Sequence, residues 1–127
     1  YIRSRICKII EPTYPGKCMH ECLFDETFLQ GSGVTVLDFS KALIDEGFHP
    51  PTMYFPLVVK GALLIEPTES ENKETLDLFC DSFIKLFEQV KLGNIEKFLN
   101  SPQRAPWLRL DEVHAGRSLN LRWTSLD

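Results

Sequence analysis

The chain is short of long apolar stretches. Its longest, around Ala62–Ile65, runs a few residues, against the roughly 20 that a bilayer crossing needs, so no membrane-spanning helix is expected. The opening Tyr1-Ile2-Arg3-Ser4-Arg5 is basic but leads into no apolar core or small-residue cleavage site, unlike a secretory signal. Clustered positive charge is missing too. Fourteen basic residues stand against 18 acidic ones, a net charge of −4, and the bases are scattered. Nucleic acid and anionic membranes need dense positive patches, so neither is expected as a partner. Cysteine is sparse: Cys7, Cys18, Cys22 and Cys80 in 127 residues, without an export signal, read as reduced thiols in a cytoplasmic compartment. There is no repeat and no low-complexity tract. No phosphate loop is present either, since Gln30-Gly31-Ser32-Gly33 has no P-loop lysine and no βαβ context.

What is there is an ordinary globular composition, 43% hydrophobic and 25% charged, at the length of one domain. Tyr1 to about Ile10 reads as a helix with Ile2, Ile6, Ile9 and Ile10 on one stripe. The stripe opens without a cap, so the chain is expected to be part of a longer polypeptide, with an exposed Ile2/Ile6/Ile9 face that favours self-association. Cys18 to about Asp25 alternates like a strand. Thr35–Glu46 is a helix capped by Thr35 with Asp38 three residues on, ended by Gly47, with Phe48 folding back on Leu43. Met53–Phe55 and Gly61–Ile65 are the next strands. Leu76, Phe79, Cys80, Phe83, Phe87 and Val90 then mark a long amphipathic helix, with Thr68 or Ser70 as its cap. A short helix spans Asn94–Asn100, and the tail 103–127 offers Trp107 and Trp123 as anchors. The order predicts an α+β domain, a small antiparallel sheet layered by helices.

Few constellations carry chemistry. Cys18, His20 and Cys22 on one strand face have zinc-like ligand types, but alternate strand residues stand roughly 7 Å apart and no second ligand pair follows. Two buried thiols and a hydrogen-bonded histidine explain the stretch as well, and no metal is expected. Ser82-Phe83-Ile84-Lys85 matches S-x-x-K by coincidence, inside a helix and without the supporting motifs. Nothing singles out one Cys–His nucleophile pair. The most unusual feature is Gly47-Phe48-His49-Pro50-Pro51-Thr52 followed by Glu66-Pro67-Thr68-Glu69-Ser70. These are two stiff polar loops that can rim a ligand site or simply supply turns and caps.

GFHPPTMYFP (47–56) and GALLIEPTESENKETLDLFCD (61–81) resemble the C-terminal region of the glycine-cleavage P-protein, glycine dehydrogenase (decarboxylating). The likeness is to the second subunit of its two-subunit bacterial form. MHECLFDE (19–26), YIRSR (1–5), SPQRAP (101–106) and LRW (121–123) extend it over essentially the whole chain. The resemblance implies the small C-terminal domain of a fold-type-I pyridoxal-phosphate enzyme. Such an enzyme decarboxylates glycine and passes the aminomethyl group to the lipoyl arm of H-protein. The family's cofactor lysine lies in an H-K-T-F-type context, which none of the eight lysines here has. No catalytic residue, and no pyridoxal phosphate, is therefore expected in this chain by itself, and alone it is expected to be inactive.

In that setting the domain would help close the cleft beside the large cofactor domain. His49 and Thr52 are its site-lining candidates, Glu66, Thr68 and Glu69 their supports, and His20 a further candidate. Glycine, lipoylated H-protein, the sister subunit and the large domain are the implied partners. Two rival readings remain open. One is a non-catalytic domain that docks H-protein or the sister subunit; the other is a redox or metal protein built on the four cysteines.

Overall fold

The computed structural model describes residues 1–123. The elements run in the order α1 (Ile2–Ile6), β1 (Cys22–Phe24), a 3-10 turn (Glu26–Leu29), α2 (Val36–Asp45), β2 (Thr52–Met53), β3 (Leu63–Ile65), α3 (Lys73–Lys91), α4 (Ile95–Leu99) and α5 (Glu112–Arg117). The three strands form one antiparallel sheet in the order β1-β3-β2, so the expected α+β architecture holds. Cys22 pairs with Ile65 and Phe24 with Leu63. All four side chains are buried, while the intervening pair Leu23 and Leu64 is half-buried on the opposite face. That is the alternation a pleated sheet with one fully covered face requires.

Helices α1 and α2 both pack on α3, which carries the stripe Phe79, Cys80, Phe83, Leu86, Phe87 and Val90 into the core. The core is built of phenylalanine. Eight of the nine in the chain form a continuous set of ring contacts; Phe39 alone meets Phe28, Phe83 and Phe98 at centroid distances of 5.3, 4.9 and 6.0 Å. Each fully buried ring contributes about 1.5–3 kcal/mol through area removed from water. Phe55, the ninth, is exposed in the loop joining β2 to β3.

The local signals around α2 act as expected. Thr35 Oγ1 accepts from the Asp38 amide at 3.1 Å, and Asp38 Oδ2 accepts from the Thr35 amide at 2.9 Å, a complete capping box. At the other end Gly47 takes φ 92°, its amide donates to Ile44 O, and the Phe48 amide donates to Leu43 O at 3.0 Å. This Schellman closure lets Phe48 fold back, its ring edge-on to Phe79 at 5.4 Å.

Other expectations give way. Helix α1 ends at Ile6, and Ile2, Ile6 and Ile10 are buried against the body of the domain. Only Ile9 is exposed, so the expected open Ile2/Ile6/Ile9 face does not exist: α3 already covers it. The strand expected at Cys18–Asp25 shrinks to Cys22–Phe24, because β3 offers only three residues to pair with. Strand β2 is Thr52–Met53 rather than Met53–Phe55, since Tyr54 enters the left-handed region at φ 57° and breaks the extended run. Asn72, not Thr68 or Ser70, caps α3, its Oδ1 accepting from the Thr75 amide at 2.8 Å; the two hydroxyls bond each other instead. Trp107 and Trp123 anchor nothing, being 78% and 88% exposed. The tail is held by Arg109. Its Nε and Nη2 donate to Ser101 O and Phe98 O, each at 2.9 Å, and its Nη1 pairs with Asp38. Residues 124–127 of the expected tail lie outside the described part.

Candidate functional site

Where α2 ends, Pro50 and Pro51 carry the chain, non-helical, from His49 into Thr52, the first residue of β2. Thr52 pairs with Leu64 in the middle of β3, and β3 runs on through Ile65 into Glu66-Pro67-Thr68. Antiparallel pairing therefore brings the two polar loops side by side. The N-terminal end of α3, with Glu71, Thr75, Leu76 and Phe79, closes the third side, and Ile2 of α1 contributes to the lining. The result is an open cavity of about 310 Å³, within the size range of small-ligand pockets.

His49, Thr52, Glu66 and Thr68 all line this cavity. Glu66 and Thr68, expected as supports for His49 and Thr52, are on the lining beside them. Thr68 Oγ1 lies 2.8 Å from Ser70 Oγ, which ties the loop to itself. Glu69 is exposed and does not line the cavity. His20 is elsewhere, exposed with Nε2 3.8 Å from Glu21 Oε2. Sequence reading missed the apolar wall made by Ile2, Leu64, Leu76 and Phe79. These side chains look like core in the sequence, and only the tertiary arrangement turns their edges towards the cavity.

The chemistry of the lining is specific about what it can and cannot hold. The apolar wall meets a rim of one imidazole, three threonines (Thr52, Thr68, Thr75) and two carboxylates (Glu66, Glu71). Neutral imidazole and threonine hydroxyls both donate and accept hydrogen bonds, so the rim can orient a small polar molecule. The positive end of α3 lies at the same edge. No lysine or arginine lines the cavity, and all eight lysines are among the described residues. An aldehyde cofactor held as an imine needs a lysine amine, and its phosphate needs donors or cations. The lining does not fit pyridoxal phosphate as a self-sufficient site.

The cysteines do not build a centre either. Cys22 is buried in β1, while Cys18 and His20 lie before the strand and are exposed, so the shared strand face proposed for the three does not form. Among the described residues no group of three or more His, Cys, Asp or Glu side chains is placed to hold a metal ion. All four cysteines are free thiols. Burial, with smaller contributions from the neighbouring thiols, pushes the Cys22 thiol up to about 12. Among the described residues no helix is long and apolar enough to cross a membrane.

A family model described as "Glycine dehydrogenase, C-terminal domain" matches residues 1–107. The chain is 54% identical over 124 residues to a protein of Caulobacter vibrioides named "Probable glycine dehydrogenase (decarboxylating) subunit 2", covering 97% of this chain and 24% of that protein. Proteins of the same name from Kosmotoga olearia and Chloroherpeton thalassium are 46% and 43% identical over 124 residues. They are covered to 26% and 25% of their length, against 97% and 98% of this chain. The chain thus spans about a quarter of the length of the curated relatives it matches. His49, Thr52, Glu66 and Thr68 all fall inside the region that the family model matches. By that match and those identities, the chain belongs to the glycine dehydrogenase C-terminal domain family.

Proposed function

We propose that this domain forms one wall of the active site of a glycine dehydrogenase (decarboxylating), and that His49 and Thr52 meet the substrate there. The observation that carries the reading is the convergence of the two family-like loops, His49–Thr52 and Glu66–Thr68, on one cavity with an apolar wall. Pyridoxal phosphate, the cofactor the family implies, would supply an electron sink for decarboxylation, and with no lysine or arginine on this lining it would be held by residues other than these. The part played by this chain is binding and exclusion. The His49 imidazole and the Thr52 and Thr68 hydroxyls offer hydrogen bonds to a carboxylate or amine. Ile2, Leu64, Leu76 and Phe79 keep water from one side of the reacting group. Glu66 and Glu71 give the rim a negative edge that suits an ammonium group better than a free carboxylate. Glu69 has only its loop to recommend it and is a peripheral member of this reading.

Handover of the aminomethyl group to the lipoyl arm of an H-protein, and pairing with a companion subunit, belong to the same reading. They are motivated by the family and by the name "subunit 2" that the relatives carry. The cytoplasm is the compartment that suits four free thiols. The test is direct. The full-length protein containing this domain, with its companion subunit, pyridoxal phosphate and lipoylated H-protein, should release CO2 from carboxyl-labelled glycine. A well-folded complex that releases none would contradict the proposal.

A further inference from the structure

Leu64 borders two cavities. With Thr52 it lines the candidate site, and with Leu23 it lines a second cavity, also of about 310 Å³, beside β1. Strand register explains the sharing. Leu64 in the central strand pairs with Leu23 on one side and with Thr52 on the other, so the three side chains form a row across the half-buried face of the sheet. Neighbouring strands stand about 4.8 Å apart, which makes the row about 10 Å long. Helix α1 borders both cavities, Ile2 lining the first and Arg3 the second.

The two ends of the row differ in charge. The first cavity carries Glu66 and Glu71 and no lysine or arginine. The second carries Arg3 and Lys17 against Glu21, a net +1. Neither cation is in an ion pair among the described residues. Arg3 Nη2 donates to Tyr14 O at 3.3 Å, which ties the guanidinium to the cavity wall. Between the ends lie Leu23 and Leu64, walled by Tyr14 and Pro56. An acidic end, an apolar floor and a basic end set the direction of a bound anion: head at Arg3 and Lys17, chain over the leucines, tail toward Thr52.

We propose that this row is a binding groove for a linear aliphatic carboxylate, its head held by Arg3 and Lys17 and its chain laid over Leu23 and Leu64 toward Thr52. The ligand is a free acid, because the charged head is what the basic end recognises; an acyl group joined to a protein through an amide has none. Chain burial supplies the affinity, since each methylene is removed from water. Binding in the reverse sense would set the carboxylate against Glu66 and Glu71, which like-charge repulsion opposes. The inference goes beyond the decarboxylase reading and shares only the Thr52 end with it.

Titration calorimetry on the full-length protein with its companion subunit tests it, using the straight-chain acids from butanoate to dodecanoate. Affinity should rise about two- to fourfold per added methylene and level off between octanoate and dodecanoate, where the chain outruns the row. Lys17 is exposed, so its replacement leaves the fold intact. Lys17→Glu, and the amide of the tightest acid on the parent protein, should each give binding at least about tenfold weaker, while Lys17→Arg keeps the parental affinity. No saturable binding, equal binding of acid and amide, or an unchanged Kd in Lys17→Glu overturns the proposal. So does an affinity that climbs steadily through dodecanoate, the mark of a featureless apolar surface. Binding is read without turnover, so an inactive complex that still takes up these acids in this pattern would sink the decarboxylase reading alone.

Discussion

Arg109 Nη1 lies 2.7 Å from Asp38 Oδ1, joining the segment after α4 to the first turn of α2. Asp38 serves two partners at once, because its other oxygen accepts from the Thr35 amide and hydroxyl at 2.9 and 2.6 Å. The carboxylate is buried and the guanidinium is 38% exposed, so the pair is only partly shielded from water. Removing the carboxylate loses half of a capping box and leaves the guanidinium without its counter-charge. Asp38→Ala should therefore destabilise the domain by about 2–3 kcal/mol. Arg109→Ala leaves the capping box intact and should cost about 1 kcal/mol. Chemical denaturation of both variants checks the ratio.

Acid should undo the same moorings. Burial alone would raise the Asp38 pKa, but bonds from Thr35 and Arg109 together outweigh it and hold the group below its ordinary 3.8. For Asp45, burial is likewise outweighed, here by the Arg104 amide, Ser101 and the Gln103 amide. The Lys97 ammonium holds Glu46 below 4.5. Groups depressed in the folded state bind fewer protons there than in the unfolded chain. Their stabilisation is present above the unfolded values and is lost as pH falls through the folded ones. Thermal melts should be flat in these contributions from pH 8 to about 5 and fall below about 4.5, with a shallower fall in Asp38→Asn.

Gly61 holds the loop between β2 and β3 against the 3-10 turn. A Cβ placed there would sit 2.5 Å from Glu26 Cβ, and the backbone is at φ 59°. Both faults act together, so Gly61→Ala should cost about 2–3 kcal/mol. Gly116 in α5 meets nothing within 4 Å. Gly116→Ala should change stability by less than about 0.5 kcal/mol, or slightly raise it through helix propensity. Equal melts for the two variants would refute the close approach.

The thiols should separate cleanly by reactivity. With its pKa pushed to about 12 by burial, Cys22 carries roughly one thiolate in ten thousand at pH 8. Cys80 is fully buried and its pKa is also raised, chiefly by burial. Native-state alkylation and then peptide mass spectrometry should label exposed Cys18 first, and Cys22 and Cys80 only on unfolding. Melts with and without reductant should coincide.

The sequence was most readable where structure is set locally. Thr35, Asp38 and Gly47 define both ends of α2 within a few residues, and the spacing from Leu76 to Val90 already describes the buried face of α3. It was less readable where a partner decides. The alternation from Cys18 to Asp25 could not show that β3 offers three residues for pairing. Nor could it show that Arg109 reaches back to Asp38, since an ion pair across the chain leaves no periodic trace. Tryptophan is a reasonable guess for an anchor, yet the cluster of acceptors near Ser101 suits a guanidinium fork, which can donate to two carbonyls and a carboxylate together. The cavity was half legible. Its polar loops stand out as stiff sequence, but their meeting depends on the register of Thr52 with Leu64.

The central claim is that His49 and Thr52 belong to the reacting site. Neither makes a hydrogen bond within the domain through its side chain among the described residues, and both are exposed on the cavity. Their loss should cost little stability. In the assembled full-length enzyme, glycine–bicarbonate exchange is the measurement to make on His49→Ala and Thr52→Ala, alongside a thermal melt of each. The account predicts melts within a degree or two of the parent and exchange reduced by about 10- to 100-fold, as misplacement of a bound group does. Normal exchange per folded enzyme in both variants would contradict it.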